Sequence, residues 1–530
     1  MKRSPELLRL ADSVLLPGFE GETPPDWLRR RLGEGLAGVV LFSRNIGTLP
    51  RLAELTAALR AERPDAVIGV DEETGDVSRL EARTGSSRPG NYALGVVDDV
   101  ALTEEIARGL GADLAVLGVN VDFAPAADVN SNPDNPVIGL RSFGADPALV
   151  SRHTAAWVRG LQAAGVAACA KHFPGHGDTA VDSHHGLPVV AATPERLREV
   201  ELRPFRAAVE AGVRMVMTGH LLVAACDPGM PATLSRRVLT GLLREEMGFG
   251  GVIVTDAIEM AAVTERYGIG GASARAVAAG ADLICVGGEN AGEDVVLAIR
   301  AAIADAVTEG LLPEERLADA ARRTAELTAW TESLRAVPAA SAAAGPVRIT
   351  AGSGGQDAPV AGEPGVDAPA GLVAARRAVR VTRGDWEVPP GGAAPYVVEL
   401  APLMNLAIDK HTPWGVGEPL AKMLPGTTVV RFDQEGWSAA TGPDRVLGEV
   451  VLGPAAGRPL VIVVRDAHRH PWQTSALDLL LGARPDAVVV EMGLPGRTDL
   501  GAVHIATHGA ARVCGQAAAE VLAGMLDGRS

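Results

Sequence analysis

The chain has 530 residues, of which 47% are hydrophobic and 22% are charged. This length is too great for one ordinary core and predicts two domains or, less simply, three. The formal net charge of −16 argues against a nucleic-acid or anionic-membrane partner, because no large basic surface is available to collect phosphates.

The N-terminus, MKRSPELLRLADSVLLPGF, is the first segment in chain order. Glu6 and Asp12 interrupt it, so it lacks the unbroken apolar stretch of a signal peptide. No run of about 18 apolar residues follows elsewhere, which argues against a membrane span. We therefore expect a cytoplasmic protein, either a monomer or a homodimer, that acts on a small ligand.

From residue 7 to about 330, short β-branched runs alternate with helical stretches rich in Ala, Leu, Arg and Glu. The runs are almost continuously apolar, which is typical of strands buried on both faces of a parallel sheet. Eight such strands favour a (β/α)8 barrel, which we assign to residues 1–335. The predicted strands are residues 13–19, 36–42, 66–71, 119–125, 165–170, 213–219, 251–256 and 281–288.

The composition changes at residues 336–373, which are rich in Pro, Gly, Ala and Ser. Such a segment cannot bury a core, so we predict a linker. Residues 374–530 return to an α/β pattern with the apolar runs YVVEL, TTVVRF, PLVIVVRD, AVVVEMG and AVHIATHG. Helices are expected around 473–482 and 515–526. The predicted fold class is therefore α/β, a barrel followed by a smaller three-layer α/β/α sandwich domain.

The densest group of reactive side chains is KHFPGHGDTAVDSHHG, residues 171–186, with four of the eleven histidines. It directly follows a predicted strand. Asp71 and Asp256 end two other predicted strands, and GLRSFG lies in the loop region after a fourth. Because the residues that follow barrel strands gather at one face, we expect Asp, Arg, Lys and His to share one mouth.

Two familiar kinds of site, a helical zinc site and a serine nucleophile, fit this segment poorly. His172 and His176 have the i, i+4 spacing of zinc ligands, but a Pro and a Gly between them prevent the helix that HExxH requires. Ser183 lies between an Asp and a His, but the chain has no GxSxG motif for a nucleophilic serine.

The four cysteines of the chain lie outside this segment. They are isolated and form no CxxC pair, which argues against a disulfide framework or a zinc ribbon.

An aspartate nucleophile working with an acid/base histidine is the favoured chemistry. Asp256, at a strand end in a polar mouth, can stay ionised and attack a carbon centre. Asp182 and His184 are two residues apart, so an extended loop projects them to the same side. The carboxylate stabilises the imidazolium, which can protonate a leaving group and then activate water. This is the logic of a retaining glycosidase with His in place of the second carboxylate.

Three segments closely resemble glycoside hydrolase family 3, and within it the two-domain β-N-acetylglucosaminidase branch of NagZ type. They are K-H-F-P-G-H-G-D-T-x-x-D-S-H, GVIVTDAIEM and PATLSRRVLTGLLREEMGFGG. The resemblance implies that Asp256 is the nucleophile, His184 the acid/base and Asp182 its partner. It implies that no metal or organic cofactor is used. It also implies five side chains that bind the terminal sugar: Asp71, Arg79, Arg141, Lys171 and His172.

Two stretches depart from the pattern of that family. The usual D-Q-E-G-G-R-V-x-R is DEETGDVSR here, so that Glu72, Thr74 and Asp76 replace Gln, Gly and Arg. The usual G-D-R-S-F is GLRSF, with Leu140 in place of Asp. Both stretches lie near the expected sugar pocket, whereas the three catalytic residues are intact.

Several of these residues also have simpler structural interpretations. Lys171 can be an ion-pair residue at the top of the barrel, and Arg141 can pair with Asp71. His176 and Asp178 can serve only to brace the Pro-Gly loop.

The sequence favours a retaining exo-β-N-acetylglucosaminidase that acts on cell-wall fragments or chitin oligosaccharides. A glycoside phosphorylase is one alternative, because a neutral imidazole, unlike a carboxylate base, does not repel phosphate. A non-catalytic sugar-binding or sensor protein is another, suggested by the altered DEETGD stretch.

Overall fold

The computed structural model describes residues 3–180, 186–287, 292–335, 369–384, 393–404, 407–438 and 446–526. The chain forms two compact units. The first comprises Met1–Glu73, Val100–Ile138 and Gly144–Asp367. The second comprises Thr74–Asp99, Gly139–Phe143 and Ala368–Ser530. Two short segments of the predicted barrel domain are thus part of the second unit.

Eight parallel strands form a curled sheet in the first unit, which confirms the predicted (β/α)8 barrel. The strands of this unit are β1 Leu15–Pro17, β2 Gly38–Leu41, β3 Val67–Val70, β4 Val121–Asp122, β5 Ala167–Phe173, β6 Val189–Val190, β7 Met215–Thr218, β8 Leu222–Val223, β9 Val252–Thr255 and β10 Ile284–Val286.

Six of the eight barrel strands are hydrogen-bonded in the order β2-β3-β4-β5-β7-β9, and β1 pairs with β10. A parallel bridge between Val254 and Leu283 connects these two groups of strands, and the Ala37 N–H donates to the Asp12 carbonyl oxygen at 3.1 Å. β6 and β8 form a separate short pair.

The interior of this barrel is a packed apolar core. Val40, Val121 and Met217 belong to one buried cluster contributed by different strands. The filling of a barrel by layers of side chains explains why the strand sequences are apolar almost throughout. Leu327 and Trp330 of the last helix of the unit pack against the same cluster.

The helices of the first unit lie between the strands in the chain. Several begin with a polar cap, as at Thr48 and Asp146, whose side chains accept backbone N–H groups of the first turn. Two helices have π geometry, Leu197–Glu201 and Arg237–Glu246. The α-helices are Pro5–Asp12, Asp26–Glu34, Leu49–Glu62, Val100–Val116, Pro147–Ala163, Pro194–Arg196, Leu202–Glu210, Ala261–Ala279, Glu293–Thr308 and Glu314–Arg335.

The second unit contains a mixed six-stranded sheet. Its strands are β11 Arg380–Arg383, β12 Tyr396–Leu400, β13 Thr428–Phe432, β14 Leu460–Val464, β15 Val488–Glu491 and β16 Val503–Ala506. They are hydrogen-bonded in the order β11-β16-β15-β14-β12-β13. The five predicted strands are present and parallel, and β11 adds an antiparallel edge strand that we did not predict.

Alternate residues of this sheet face two separate cores. Val398 and Ile462 pack with Leu480 of one helix, whereas Val397 and Val461 pack with Leu522 of another on the opposite face. This arrangement is the predicted three-layer sandwich. The helices are Asn91–Val97, Pro369–Ala378, Gly417–Met423, Gln434–Ser438, Pro471–Ala483 and Arg512–Leu526, with a π-helix at Val446–Leu452.

A helix that spans a membrane must be both long and apolar. Within the described ranges, no helix has both the length and the apolar character needed to cross a bilayer. This agrees with the absence of a long apolar run in the sequence.

Candidate active site

A buried lysine joins two carboxylates at the carboxyl ends of the barrel strands. Lys171, in β5, is 1% exposed, and its Nζ lies 2.6 Å from Asp71 Oδ1 and 2.6 Å from Glu73 Oε1. Asp71 directly follows β3. Lys171 therefore forms the ion pair that its structural interpretation predicts. Asp71 keeps 23% of its side chain exposed, so its carboxylate can also be reached by a ligand.

A third carboxyl, that of Asp122, is close to this ion pair. Asp122 ends β4, between β3 and β5, and its Oδ1 accepts the Glu72 N–H at 3.0 Å. Burial raises the pKa of Asp122 well above its usual range, and the negative charges of Glu72 and Asp71 raise it further, whereas the Lys171 cation lowers it. The Lys171 cation thus acts on three carboxyl groups and contacts two of them, Asp71 and Glu73.

Asp128 holds the histidine end of the KHFPGHGD segment. It is fully buried, and its Oδ2 lies 2.8 Å from His172 Nδ1. Its Oδ1 accepts the backbone N–H of His176 at 2.7 Å. Because a carboxylate oxygen accepts hydrogen bonds, His172 Nδ1 is the donor in this contact. Sequence analysis missed Asp128, which lies in a loop beyond β4 rather than at a strand end.

The turn between His172 and Thr179 is packed tightly into the unit. The peptide bonds Lys171–His172 and Phe173–Pro174 are cis. His176 Nδ1 lies 2.6 Å from Thr179 Oγ1, and the His176 carbonyl accepts from Asn135 Nδ2 at 2.7 Å. His176 thus braces the loop, as its simpler interpretation predicts.

Asp182 and His184, the predicted acid/base pair, lie outside the described residues, as does His185. The described chain ends at Ala180 on one side and resumes at Gly186 on the other. Among the residues that the structure describes, no three His, Cys, Asp or Glu side chains are arranged so that they could hold a metal ion.

Asp256, the predicted nucleophile, directly follows β9. Its backbone N–H donates to the Thr218 carbonyl at 3.0 Å, and its Oδ1 accepts the Ala257 N–H at 2.8 Å. In the sheet, Thr255 pairs with Thr218, and Thr218 pairs with Phe173. The register therefore brings Asp256 to the same end of the barrel as the KHFPGHGD segment.

The charges of Asp71 and Asp256 act on two buried thiols inside the barrel. Burial raises the pKa of the Cys285 thiol well above its usual range, and the charges of Glu259, Asp71 and Asp256 raise it further. Burial likewise raises the pKa of the Cys169 thiol, and the charges of Asp71 and Asp256 add to this effect. These directions agree with the strand register, which brings Asp256 to the end of the barrel that carries Lys171 and Asp71.

His220 supports the nucleophile loop, a role that the sequence did not suggest. It is fully buried, its Nε2 donates to the Ala257 carbonyl at 3.0 Å, and its Nδ1 lies 2.8 Å from Thr233 Oγ1. Because Ala257 follows Asp256, His220 fixes the backbone from which the Asp256 side chain projects. A His directly after a barrel strand was the signal in the sequence.

The remaining predicted sugar-binding residues, Arg79 and Arg141, are in the second unit. Arg79 Nη1 donates to the Ala407 carbonyl at 2.9 Å, and the Arg141 carbonyl accepts from Asn91 Nδ2 at 2.7 Å. The first unit thus brings together Asp71, Lys171, His172 and Asp256, but not these two arginines.

Two of the replaced family positions have a structural explanation in the second unit. The Asp76 side chain is only 8% exposed, and its Oδ2 lies 2.9 Å from Arg465 Nη2. Where the family pattern has an arginine, this chain therefore carries an aspartate, which pairs with Arg465. Thr74 adopts a φ of 62°, a region that favours Gly, and its hydroxyl donates to the Pro89 carbonyl at 2.9 Å. This bond offsets part of the backbone strain.

The Asp76–Arg465 pair gives a stability prediction. Asp76→Asn removes the carboxylate that contacts the buried Arg465 guanidinium. The remaining carboxylate partner is then Asp466, whose Oδ2 is more distant, at 3.9 Å. We expect the free energy of unfolding in urea to fall by roughly 3 kcal/mol, the low end for breaking a buried ion pair. Asp499→Asn, which breaks the exposed Arg497–Asp499 pair, is the control and should leave stability unchanged. Equal stability of both variants would contradict this explanation.

The sequence is similar to a known protein family and to individual bacterial proteins. The model of the Glycosyl hydrolase family 3 N terminal domain matches residues 29–327. Beta-hexosaminidase A of Pseudoalteromonas piscicida is 35% identical over 326 residues, which are 55% of this chain and 53% of that protein. This chain thus spans about half the length of that relative. A beta-hexosaminidase of Stenotrophomonas maltophilia is 37% identical over 270 residues, which cover 78% of its length.

The structure was compared with solved structures. A glycoside hydrolase family 3 beta-N-acetylglucosaminidase from Paenibacillus sp. superposes with a TM-score of 0.84 at 32% identity. The superposition covers 98% of this chain and 97% of the Paenibacillus chain. The similarity therefore includes both units.

Proposed function

Because the chain belongs to glycosyl hydrolase family 3, we propose that it is a retaining exo-β-N-acetylglucosaminidase, which removes terminal β-linked N-acetylglucosamine. The observation that carries this proposal is the convergence of Asp71, Lys171, His172 and Asp256 on one end of the barrel. The names of the similar proteins support the choice of sugar.

In the proposed first step, Asp256 attacks the anomeric carbon while His184 protonates the glycosidic oxygen. The Ala257 N–H holds Asp256 Oδ1, which orients the carboxylate. Asp182 stabilises the imidazolium of His184. The products are a covalent glycosyl-enzyme and the departed alcohol.

In the second step, neutral His184 removes a proton from water, which attacks the same carbon and displaces Asp256. Two displacements retain the configuration of the sugar. His220, bound to the Ala257 carbonyl, keeps the nucleophile loop in place through both steps.

The terminal sugar is held by hydrogen bonds in this proposal. Asp71 accepts from sugar hydroxyls, while its contact with Lys171 keeps the side chain oriented. The contact between Asp128 and His172 Nδ1 fixes the imidazole ring, which can then meet another hydroxyl. The resemblance also assigns sugar contacts to Arg79 and Arg141, and that assignment stays a prediction.

The natural substrates that we propose are fragments from cell-wall turnover or short chitin oligosaccharides. Aromatic residues make up only 3% of the chain, which leaves few side chains for a long stacking cleft and favours short substrates. The expected cytoplasmic location suits peptidoglycan recycling.

A panel of aryl β-glycosides tests this function. We expect the N-acetylglucosaminide to be cleaved with a kcat/KM about 100-fold above those of the glucosaminide, glucoside and xyloside, because a site built around the acetamido group rejects sugars that lack it. The product should be free N-acetylglucosamine with or without added phosphate. A sugar phosphate would instead identify a phosphorylase, and no turnover of any glycoside would identify a binding protein.

A further inference from the structure

A buried glutamate lies behind the KHFPGHGD segment, outside the residues assigned to the reaction. Glu201 ends the π-helix Leu197–Glu201 and is 1% exposed, whereas Glu199 on the same helix is exposed. A π-helix shifts the direction of the residues that follow it, and such shifts are frequent at functional sites. Here the helix directs one acidic side chain inward.

The Glu201 side chain packs directly against the turn at Gly175. Gly175 has a φ of 126°, and a Cβ placed on it would lie 2.6 Å from Glu201 Oε2 and 2.7 Å from Glu201 Cβ. Only Gly combines that backbone conformation with so close an approach. The turn and the glutamate side chain are therefore in direct contact, so a displacement of one moves the other.

The surroundings of Glu201 disfavour a negative charge. Its Oε1 lies 3.5 Å from Ser131 Oγ, and its Oε2 has no hydrogen-bond partner within the described part of the chain. Burial, followed by the charges of Asp128 and Asp178, raises the pKa of Glu201 to about 8, against the opposing effect of Arg196. Glu201 is thus an uncharged acid at neutral pH.

Ionisation of Glu201 would act on the polar and charged groups of three surrounding elements. These groups are Asp128 and Ser131 in the loop after β4, His172, His176 and Asp178 in the turn, and Arg196 on the neighbouring helical turn. Asp128 is the acceptor that holds both histidines of the turn. A new buried negative charge beside it repels it and favours an opened turn.

We infer that Glu201 is a positioning residue: as an uncharged acid it supports the Gly175 turn, and its ionisation displaces His172 and limits sugar binding at alkaline pH. This inference rests on the proposed function, in which His172 contacts the sugar. It adds a control of that site by pH that does not involve the acid/base histidine.

The test must separate Glu201 from the proposed acid His184. A dinitrophenyl β-N-acetylglucosaminide has a leaving group that needs no protonation, and its kcat/KM reports binding and the first displacement. We expect this kcat/KM to fall in the wild type above about pH 8, roughly tenfold for each further pH unit. Glu201→Gln should remove the decline, whereas Glu199→Gln, which removes an exposed charge from the same helix, should keep it.

A second measurement is independent of activity. A carboxyl with a folded pKa of about 8 and an ordinary unfolded value contributes its full stability below about pH 4.5, and that contribution is lost as the pH rises to about 8. The urea midpoint of the wild type should therefore fall relative to that of Glu201→Gln across this window and then run parallel to it. Glu201→Met provides a second uncharged variant if Gln does not fold.

An alkaline decline that persists in Glu201→Gln would overturn the inference, as would parallel urea midpoints from pH 4.5 to 8. Failure of the proposed function would look different. No aryl glycoside would then be cleaved at any pH, while the urea midpoints would still report on Glu201.

Discussion

Asp256→Ala is expected to lower kcat for an aryl β-N-acetylglucosaminide by at least about 10⁴-fold, since the removal of a covalent nucleophile can cost about 10⁶-fold. The reason is chemical, since without the carboxylate no glycosyl-enzyme can form. The kinetics should be measured on protein whose circular dichroism matches the wild type.

The fold should tolerate this substitution. Asp256 is half-buried, and its backbone bond to the Thr218 carbonyl does not depend on the side chain. Asp26→Asn, at an exposed position that begins a helix of the same unit, is the control and should retain wild-type kinetics. Azide should partly rescue Asp256→Ala by occupying the vacated space and forming a glycosyl azide of α configuration. More than a few per cent of activity without azide would contradict the role of Asp256.

Lys171→Met is expected to have the largest effect on stability. The substitution leaves the carboxylates of the partly exposed Asp71 and the buried Glu73 together, close to Asp122, without the cation that both contact at 2.6 Å. Removal of one partner from a buried ion pair costs about 3–5 kcal/mol. We expect a loss of that size in urea unfolding and a kcat/KM at least about 100-fold lower, because Asp71 loses its orientation.

A charge effect can be separated from a packing effect by a second substitution. Lys171→Met combined with Glu73→Gln leaves one carboxylate instead of two at the site, so its loss of stability relative to the wild type should be smaller than that of Lys171→Met alone. Lys422→Met, which removes the cation of an exposed pair with Glu418, is the control and should have little effect. Equal losses in the single and the double variant would assign the loss to packing.

The barrel and the strand-end residues were predictable from the sequence. Strands buried on both faces are continuous apolar runs, and all eight runs of the barrel are strands in the structure. Asp71 and Asp256 follow such runs directly, so the topology alone places them at one end. The edge strand β11 was missed because Arg380–Arg383 is exposed throughout and carries no apolar pattern.

Other features depend on contacts between distant parts of the chain. Glu201 reads as an ordinary polar position of a helix, and only the packed turn at Gly175 makes it a buried acid. Asp76 pairs with Arg465, 389 residues further along the chain, so the exchange of charge at position 76 has no local signal. Asp128 lies in a loop beyond β4, and the alternation of apolar runs does not predict where a loop side chain points.

The proposed mechanism requires a covalent bond between Asp256 and the sugar, and trapping of the glycosyl-enzyme detects this bond. A fluorinated N-acetylglucosaminyl fluoride forms the glycosyl-enzyme faster than water releases it, so the intermediate accumulates. After proteolysis, mass spectrometry should find the sugar on the peptide that contains Asp256, and Asp256→Ala should not be labelled. A label on another residue, or turnover of the reagent with inversion and no label, would contradict the account.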